Sequence, residues 1–382
     1  MNTDGLSDLC WRGLRRFHNV DYVRDVLVYL HNIPRGQRDN AKKQAEQIKY
    51  CLLQAREYFI AAKAVGLATS PTLLYYSVMS LALAEILLKH QGMCSLDAAR
   101  GQNAHHGLEF SLQAQGSLRE QTLSARGLAL RARPAVRSGG ERFGTFELWH
   151  QTAREMPLVG RGQQLNPNSG STVHYNVMTL SGAMDVRLPV ISGTGVSLLD
   201  CFQHLPSMAD IIIRHGEKIK IAFANVKQIA NFSGMWLAIS VHPAQEDTLH
   251  EIYSDIKIRP NDVESVNVVE HDSGVQIFIP RSNDQKIDCA FPQAFPLSNE
   301  SCAFLRSSWP LNEFGVFYVA LFISGNYARY YPDKWLYEID HNTPLVLALE
   351  EMLSAAFERV PLLALSELSR QCIVLDEPAL PI

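Results

Sequence analysis

The sequence predicts an α+β protein that is predominantly α-helical, in which a helical bundle built from both chain ends carries an inserted β-containing section. Three observations lead to this fold class. Long helical patterns occupy residues 39–65 and 70–91, helical patterns return from residue 313, and β-type alternation is concentrated between residues 217 and 280. We therefore predict three parts: an N-terminal helical part at 1–115, an inserted mixed α/β section at 116–300, and a C-terminal helical part at 301–382 that packs on the first.

The N-terminal part begins with two amphipathic patterns, a short one at residues 20–31 and a stronger one at 39–65. In the second, apolar residues recur at alternating spacings of four and three, which places them on one helix face. The next segment has Ser70 as a candidate N-cap, Pro71 at the first helical position and Gly92 as a stop signal. Because this segment is apolar on nearly all sides, it is predicted to be the central helix, surrounded by others.

The inserted section has shorter and more varied patterns. Alternation at residues 122–131 predicts a strand, and a short helix is predicted at residues 146–153. Further strands are predicted at Lys218–Phe223, Trp236–Val241, Val266–Val269 and Val275–Ile279. Residues 270–274 are predicted to join the last two strands as a hairpin turn, and residues 244–254 to form a helix.

The C-terminal part is predicted to contain a helix at 313–328 and another that begins at Thr343 and Pro344 and ends before Pro361. If both chain ends pack together, the central helix gains neighbours from the C-terminal part as well as the N-terminal part.

The composition indicates a globular protein rather than a disordered one. Of the 382 residues, 47% are apolar and 19% charged, which is typical of a globular protein. The net charge of −4 gives no global basicity, but Arg and Lys are enriched in residues 11–63 and 119–161, so a local basic face is compatible with the sequence.

Cysteine usage and the N-terminus predict a cytoplasmic protein. The seven cysteines include no CxxC pair, which favours reduced thiols over a disulfide framework or a zinc site. The first residues lack the basic and apolar regions of a signal peptide. The longest apolar run, Leu73–Leu88, contains Glu85 and is too short to span a bilayer, so a core helix is predicted and no membrane contact.

Several catalytic motifs are absent from the sequence. No Lys is followed by Ser or Thr, which excludes a P-loop, and there is no HExxH, no GxSxG and no GxGxxG after a strand. Kinase, zinc-protease and α/β-hydrolase functions are therefore not predicted.

Two distant blocks of sequence carry a resemblance to a known family. The N-terminal block consists of Gln47–Ala62 and Ser70–Ala84, followed by His106-Gly107-Leu108, and the C-terminal block is Ser324–Trp335, which contains Arg-Tyr-Tyr-Pro. Together they resemble the YaaC-like family of bacterial proteins, whose members pair such blocks. The resemblance implies a helical architecture that joins both chain ends, but it does not imply a particular reaction.

Arg100, His105 and His106 form the candidate catalytic motif. Their spacing resembles the Rx4–6H pattern of the HEPN superfamily, which includes many RNases of toxin and antiviral systems. In that chemistry the Arg steadies the scissile phosphate, while the His moves protons for attack by the ribose 2′-OH without a metal. The resemblance implies the same roles here for Arg100 with His105 or His106.

A structural interpretation of this motif stays open. The same spacing also joins Arg12 to His18 and Arg24 to His31, so the pattern is common in this chain. His106 could instead bond to the end of the central helix while the following glycine makes the turn.

Arg329, Tyr330 and Tyr75 are the candidate ligand-binding residues. An Arg among aromatics can bind a phosphate, a base or a carboxylate, but a packed cluster of Tyr and Trp needs no ligand. Because both signatures follow a core helix, we expect Arg329 and His106 to face a common cleft, joined by Tyr330 or Tyr75.

The first functional hypothesis is a component of a bacterial stress or antiviral defence system, either an RNA-directed effector or a subunit that binds nucleic acid or protein. The alternatives are a non-catalytic scaffold that binds a protein partner and a nucleotide-binding sensor. The expected partners are RNA or another nucleic acid and a protein partner or a second copy of the chain. No cofactor and no metal ion are predicted; if the protein is an enzyme, a metal-independent RNase is favoured over a metal nuclease.

Overall fold

A computed structural model describes the greater part of the chain. The described residues are 3–89, 96, 105–113, 122–153, 159–165, 172–175, 188–231, 234–241, 257–258, 267–271, 274–281, 289–290, 294–297, 301–306 and 308–375. The chain separates into two compact units. Unit 1 comprises Met1–Ala153, Val190–Lys218 and Glu313–Leu368, and unit 2 comprises Arg154–Pro189, Ile219–Asn312 and Ser369–Ile382. Unit 1 therefore contains both helical ends; the three-part division at residues 115 and 300 stays a prediction.

The described helices follow the sequence patterns closely at both ends of the chain. In chain order they are α1 Thr3–Leu14, α2 Val20–His31, α3 Arg38–Ala64, α4 Ser70–Lys89, α5 Leu123–Ala129, α6 Thr145–Thr152, α7 Leu198–Gln203, α8 Ala209–Arg214, α9 Glu313–Tyr330, α10 Pro332–Asp340 and α11 Pro344–Ser369. Short 3₁₀ helices occupy Arg15–His18, Arg35–Gln37 and Pro206–Met208.

Helix α4 is the centre of unit 1. The Ser77 hydroxyl donates to the Ala55 carbonyl on α3 over 2.7 Å, and the Thr72 hydroxyl donates to the Gly325 carbonyl on α9 over 3.2 Å. The absence of a side chain at Gly325 lets the two helix backbones approach at this point. Both chain ends thus contribute to one helical bundle, and the predicted fold class is confirmed.

By length and composition, α4 is also the helix among the described residues that could cross a membrane. However, 72% of the relevant window is buried inside the protein. This burial is typical of the core helix of a soluble protein.

The strands form four small sheets. In chain order the strands are β1 Leu108–Leu112, β2 Leu130–Pro134, β3 Val159–Leu165, β4 Thr172–Tyr175, β5 Val196–Ser197, β6 Ala222–Asn231, β7 Gly234–Val241, β8 Lys257–Ile258, β9 Asn267–His271, β10 Gly274–Arg281, β11 Cys289–Ala290, β12 Ala294–Pro296, β13 Ser301–Phe304 and β14 Gln371–Leu375. Unit 1 contains the sheet β1-β2-β5. Unit 2 contains three sheets with the strand orders β12-β13-β6-β7-β10-β9, β11-β8 and β14-β3-β4. Among the described strand pairs, β14 with β3 is the parallel one, and the others are antiparallel.

Most predicted strands of the inserted section are present. The strands predicted at 236–241, 266–269 and 275–279 correspond to β7, β9 and β10, and β9 pairs with β10 as an antiparallel hairpin. The strand predicted at 218–223 is displaced, because β6 begins at Ala222. The helix predicted at 244–254 lies outside the described residues.

Two predictions of secondary structure are wrong. Residues 123–129 form a helix, because the Thr122 hydroxyl accepts from the Ala125 N–H as an N-cap and the strand begins only at Leu130. Helix α11 continues past Pro361 to Ser369, although Pro361 has no N–H to donate within it. Burial of the apolar residues that follow Pro361, such as Leu362 and Leu365, compensates for the lost hydrogen bond.

A buried carboxyl group lies between α4 and its neighbours. The Trp149 indole N–H donates to Glu85 Oε2 over 2.8 Å, and Lys89 Nζ lies 3.8 Å from the same oxygen and 2.8 Å from Glu367. Burial raises the pKa of Glu85 to about 8; Lys89 opposes this rise and Glu367 adds to it. Two carboxyl groups thus share one ammonium group in the core.

This arrangement predicts a stability that depends on pH. The pKa of Glu85 is higher in the folded state than in the unfolded chain, so the folded state keeps a proton that the unfolded state loses between about pH 4.5 and 8. Folding stability should therefore fall as pH rises through this window, by a few kcal/mol at most. Melting curves of Glu85→Gln should show a smaller fall, because the amide cannot ionise. Equal pH dependence in wild type and variant would contradict the prediction.

Candidate functional site

The candidate site contains two adjacent tyrosines of α4. They point in different directions because successive residues of a helix are about 100° apart. Tyr75 is 4% exposed and lies in the bundle, whereas Tyr76 is half-buried and reaches towards the surface. Each hydroxyl has a different partner.

The loop that precedes β1 is held against the start of α6. Gly107 has a φ of +84°, and a Cβ at this position would lie 2.8 Å from the Phe146 nitrogen. Gly144, with a φ of +105°, packs directly against Gly107, so a side chain at either position would collide with backbone. Both glycines are required by this close approach.

The carbonyl groups of this loop accept from the first N–H groups of α6. The N–H of Thr145 donates to the His105 carbonyl over 2.9 Å, and that of Phe146 donates to the His106 carbonyl over 3.0 Å. These bonds satisfy donors that a helix start leaves without intrahelical partners. They fix the loop backbone and thereby position the His106 side chain.

The His106 ring lies against the tyrosines of α4. Its Nδ1 shares a hydrogen bond of 3.0 Å with the Tyr75 hydroxyl, and its ring centroid lies 6.3 Å from that of Tyr76. Burial lowers the pKa of His106, and the neighbouring His105 and Arg329 lower it further. The imidazole is therefore neutral near pH 7.

Arg329 lies in the last turn of α9 and is exposed. Its guanidinium donates to the Tyr76 hydroxyl over 3.0 Å and lies 5.1 Å from the ring centroid of Tyr330, which is 60% exposed. Within the part of the chain that the structure describes, no carboxylate lies within salt-bridge distance of Arg329. The guanidinium therefore keeps N–H groups available to a ligand.

Tyr75, Tyr76, His106 and Arg329 together form what we term the histidine–arginine cluster. The sequence predicted that Tyr330 or Tyr75 would join Arg329 to His106. Tyr75 does bond to His106, but the residue that contacts both His106 and Arg329 is Tyr76. The structure thus brings Arg329, His106 and Tyr75 together, and sequence analysis missed Tyr76, although its place beside Tyr75 was a signal.

Aromatic rings form the inner wall of the cluster. Phe322 of α9 lies 5.5 Å from Tyr75, Tyr318 lies 5.9 Å from it, and Tyr58 of α3 stacks on Tyr76 at 5.4 Å. Burial raises the pKa of Tyr75 and of Tyr318, so both hydroxyls stay protonated at neutral pH. The wall holds the polar groups in place without adding charge.

The other predicted catalytic residues are less closely involved. Arg100 lies outside the described residues. His105 is exposed; its Nδ1 accepts from the Gly107 N–H over 3.0 Å and its ring packs 5.0 Å from Phe143. Among the residues that the structure covers, no group of His, Cys, Asp and Glu could hold a metal ion.

The segment from Arg329 to Trp335 divides into a surface part and a packed part. Arg329 and Tyr330 face solvent, whereas Trp335 is buried and its indole N–H donates to the Ala68 carbonyl, just before α4, over 3.3 Å. Pro332 is the first residue of α10, after α9 has ended at Tyr330. Both the structural and the ligand-binding interpretation therefore hold, for different residues of the segment.

A buried ion pair holds α10, the helix that follows Arg329 and Tyr330. Glu338 of α10 is fully buried, and Arg126 of α5 donates to its Oε1 over 2.5 Å. The Thr343 hydroxyl donates to Glu338 Oε2 over 2.5 Å, and the Tyr327 hydroxyl lies 3.5 Å from Oε1. The pair fixes the position of α10 relative to α5.

The fold and the cluster define a predominantly helical α+β protein with an arginine, a histidine and two tyrosines gathered beside its central helix. In a comparison with known families, residues 15–122, less than a third of the chain, match the family model described as YaaC-like Protein. The YaaC-like resemblance predicted from the sequence is thereby confirmed. No curated protein and no solved structure matches the chain. A relationship to the HEPN superfamily stays a prediction.

Proposed function

We propose that this protein is an RNA-directed component of a bacterial stress or antiviral defence system, and that the histidine–arginine cluster binds a phosphate group of the RNA. The observation that carries this proposal is an exposed Arg329 with no carboxylate partner among the described residues, beside a neutral His106. An unpaired guanidinium next to neutral hydrogen-bonding groups is suited to an anionic ligand.

The residues around Arg329 favour RNA over a simple anion. Guanidinium groups bind phosphate through two parallel N–H donors, and Arg329 uses one donor on Tyr76. The exposed ring of Tyr330 offers a face on which a base can stack, worth about 1–3 kcal/mol in single-strand complexes. Phosphate and base contacts side by side are typical of single-stranded RNA sites.

The same cluster has the groups needed for RNA cleavage without a metal. A neutral imidazole can accept the proton of a ribose 2′-OH as its oxygen attacks the phosphorus, and the imidazolium that forms can return the proton to the 5′-oxygen as the P–O bond breaks. A guanidinium can stabilise the charge that develops on the phosphate. His106 and Arg329 would fill these roles, with Tyr75 fixing the orientation of the imidazole. RNase activity that persists in EDTA and is lost in His106→Ala would support this role.

Replacement of Arg329 by alanine tests RNA binding. We expect Arg329→Ala to weaken the binding of a single-stranded RNA oligonucleotide by about tenfold or more, since a charge-assisted bond to phosphate is lost. The melting temperature should change little, because Arg329 is exposed and makes one hydrogen bond, to Tyr76. Fluorescence anisotropy and thermal denaturation measure the two effects.

Lys334→Ala is the matched control, because Lys334 is an exposed cation on the adjacent helix α10. Its RNA affinity should stay close to that of wild type. Unchanged affinity in Arg329→Ala would overturn the proposed function. A large fall in melting temperature would show that Arg329 is a structural residue instead.

The other functional hypotheses predict different outcomes. A nucleotide sensor would gain thermal stability with a mononucleotide, and its response would be lost in Arg329→Ala. A scaffold would co-purify with a protein partner and bind no RNA. We further propose a cytoplasmic location and a defence role, both suggested by the sequence, and the genes adjacent to this one test the defence role directly.

A further inference from the structure

A row of cations runs along one flank of α3, the helix whose Tyr58 stacks on Tyr76 of the histidine–arginine cluster. Lys42, Lys49 and Arg56 are spaced seven residues apart, so they lie near one line along the helix, about 10 Å from one to the next. Lys42 is exposed, and Lys49 and Arg56 are half-buried. This flank lies beside the face that α3 packs into the bundle.

The cations of the row form no ion pairs with the residues that the structure describes, although Glu46 lies one helical turn from both Lys42 and Lys49. Within the described residues, none of Lys42, Lys49 and Arg56 lies within salt-bridge distance of an acidic group. On the neighbouring helix α2, by contrast, Arg24 is paired with Asp21 and Asp25 at 2.6 and 2.9 Å. The row on α3 therefore keeps its cationic groups available to an anionic ligand.

A further cation comes from the 3₁₀ helix Arg15–His18, which contacts α3. His18 is half-buried between the two elements. Burial lowers the pKa of His18, and Arg15, Lys49 and Arg56 lower it further. The charges that act on His18 are thus cationic, as expected if Arg15 joins the row from the neighbouring element. Lys42, Lys49, Arg56 and Arg15 are hereafter the basic row.

The residues beside the basic row indicate which kind of anionic ligand the row suits. Tyr50 is 61% exposed and follows Lys49, so its ring is available for base stacking. The exposed apolar side chains Leu53 and Ile60 have Glu57 between them in the sequence, on the same outward face. A charged carboxylate between these apolar side chains opposes their insertion into the apolar part of a membrane, a cost that binding to a nucleic acid at the surface does not carry.

We infer that the basic row binds the sugar-phosphate backbone of a nucleic acid strand, as a contact surface separate from the histidine–arginine cluster. The inference rests on the proposed function in naming RNA as that strand. The row supplies phosphate contacts that add affinity without reading sequence. The cluster supplies the contact at one specific phosphate.

The test compares two triple variants of the full chain. Lys42→Ala, Lys49→Ala and Arg56→Ala together remove three cations of the row. Lys43→Ala, Arg214→Ala and Lys218→Ala remove three exposed cations outside it, one of them on α3 itself. Both variants therefore change the net charge equally. The affinity of each for a labelled single-stranded RNA of about 20 nucleotides is measured by anisotropy between about 50 and 200 mM salt, a range over which several phosphate contacts change affinity by orders of magnitude.

We expect the row variant to bind RNA at least about tenfold more weakly. The negative slope of log K against log salt should become shallower by about 2, since each lost phosphate contact removes roughly 0.7 from its magnitude. The control variant should keep the wild-type slope. Equal affinity and slope in the row variant would overturn the inference. So would binding to phosphatidylserine vesicles that depends on the row while RNA binding does not.

The two proposals fail separately. If Arg329→Ala weakens RNA binding and the row variant does not, the cluster stands and the row is excluded. If the row variant alone weakens binding, the row stands and the proposed function of the cluster is wrong. Should the triple variant unfold, Lys42→Glu replaces it, because Lys42 is exposed and its reversal should still lower the salt slope by about 1.

Discussion

Replacement of Leu81 by aspartate is expected to destabilise the folded state of this protein severely. Leu81 is fully buried in the middle of α4, the helix that packs against both chain ends. An aspartate there would place a carboxylate among apolar side chains with no cation as a neighbour on its helix turn. An unpaired buried charge costs several kcal/mol, on the order of 3–5, which is a large part of a typical stability of about 5–15.

Leu347→Asp is the matched control, because the same substitution is made at an exposed leucine of α11. We expect Leu81→Asp to be insoluble on expression, or to give a circular dichroism melt without a cooperative transition, while Leu347→Asp melts near wild type. A soluble Leu81→Asp protein that melts normally would show that α4 is not the core helix.

The central position of α4 could be predicted because its signal is local. Apolar residues on all sides of a helix of this length require neighbours on all sides, whatever the tertiary topology. The amphipathic patterns of α2 and α3 were equally informative, and their predicted bounds agree with the structure to within one residue at each end. Such periodic signals depend on sequence neighbours only.

The wrong predictions arise where a local pattern competes with a second effect. Alternating residues at 122–131 resemble a strand, but a single N-cap bond from Thr122 stabilises the first turn of α5. Pro361 is a strong stop signal, but burial along α11 outweighs it. The parallel pairing of β14 with β3 joins segments about 200 residues apart, for which periodicity carries no signal.

The candidate site was predictable in part for the same reason. Arg329 and His106 were identified because each was predicted to follow a core helix; Arg329 in fact lies in the last turn of α9, and the ends of α4 and α9 bring the two side chains near each other. The role of Tyr76 depends on the direction of a side chain, which the sequence does not specify. The close approach of Gly107 and Gly144 depends on a contact between distant loops, and it decides where the His106 ring lies.

The buried pair of Arg126 and Glu338 could not be predicted from the sequence, because 212 positions separate its members. Removal of the arginine alone leaves Glu338 fully buried with its hydrogen bond from Thr343 but without its cation. We expect Arg126→Ala to lower the free energy of unfolding by about 3–5 kcal/mol, the cost of leaving one buried charge uncompensated. Urea denaturation at neutral pH measures this loss.

A second substitution separates the missing charge from the missing side chain. In Arg126→Ala with Glu338→Gln, the buried carboxylate is replaced by an amide that can still accept from Thr343, so we expect the double variant to be more stable than Arg126→Ala alone. Arg133→Ala is the control, because its pair with Glu109 is exposed on both sides and should contribute about 1 kcal/mol or less. If Arg126→Ala lowers the free energy of unfolding no more than Arg133→Ala does, the buried carboxylate of Glu338 does not need the charge of Arg126. If Glu338→Gln fails to restore stability in the presence of Arg126→Ala, the loss comes from the packing of the Arg126 side chain between α5 and α10 and not from an unpaired charge.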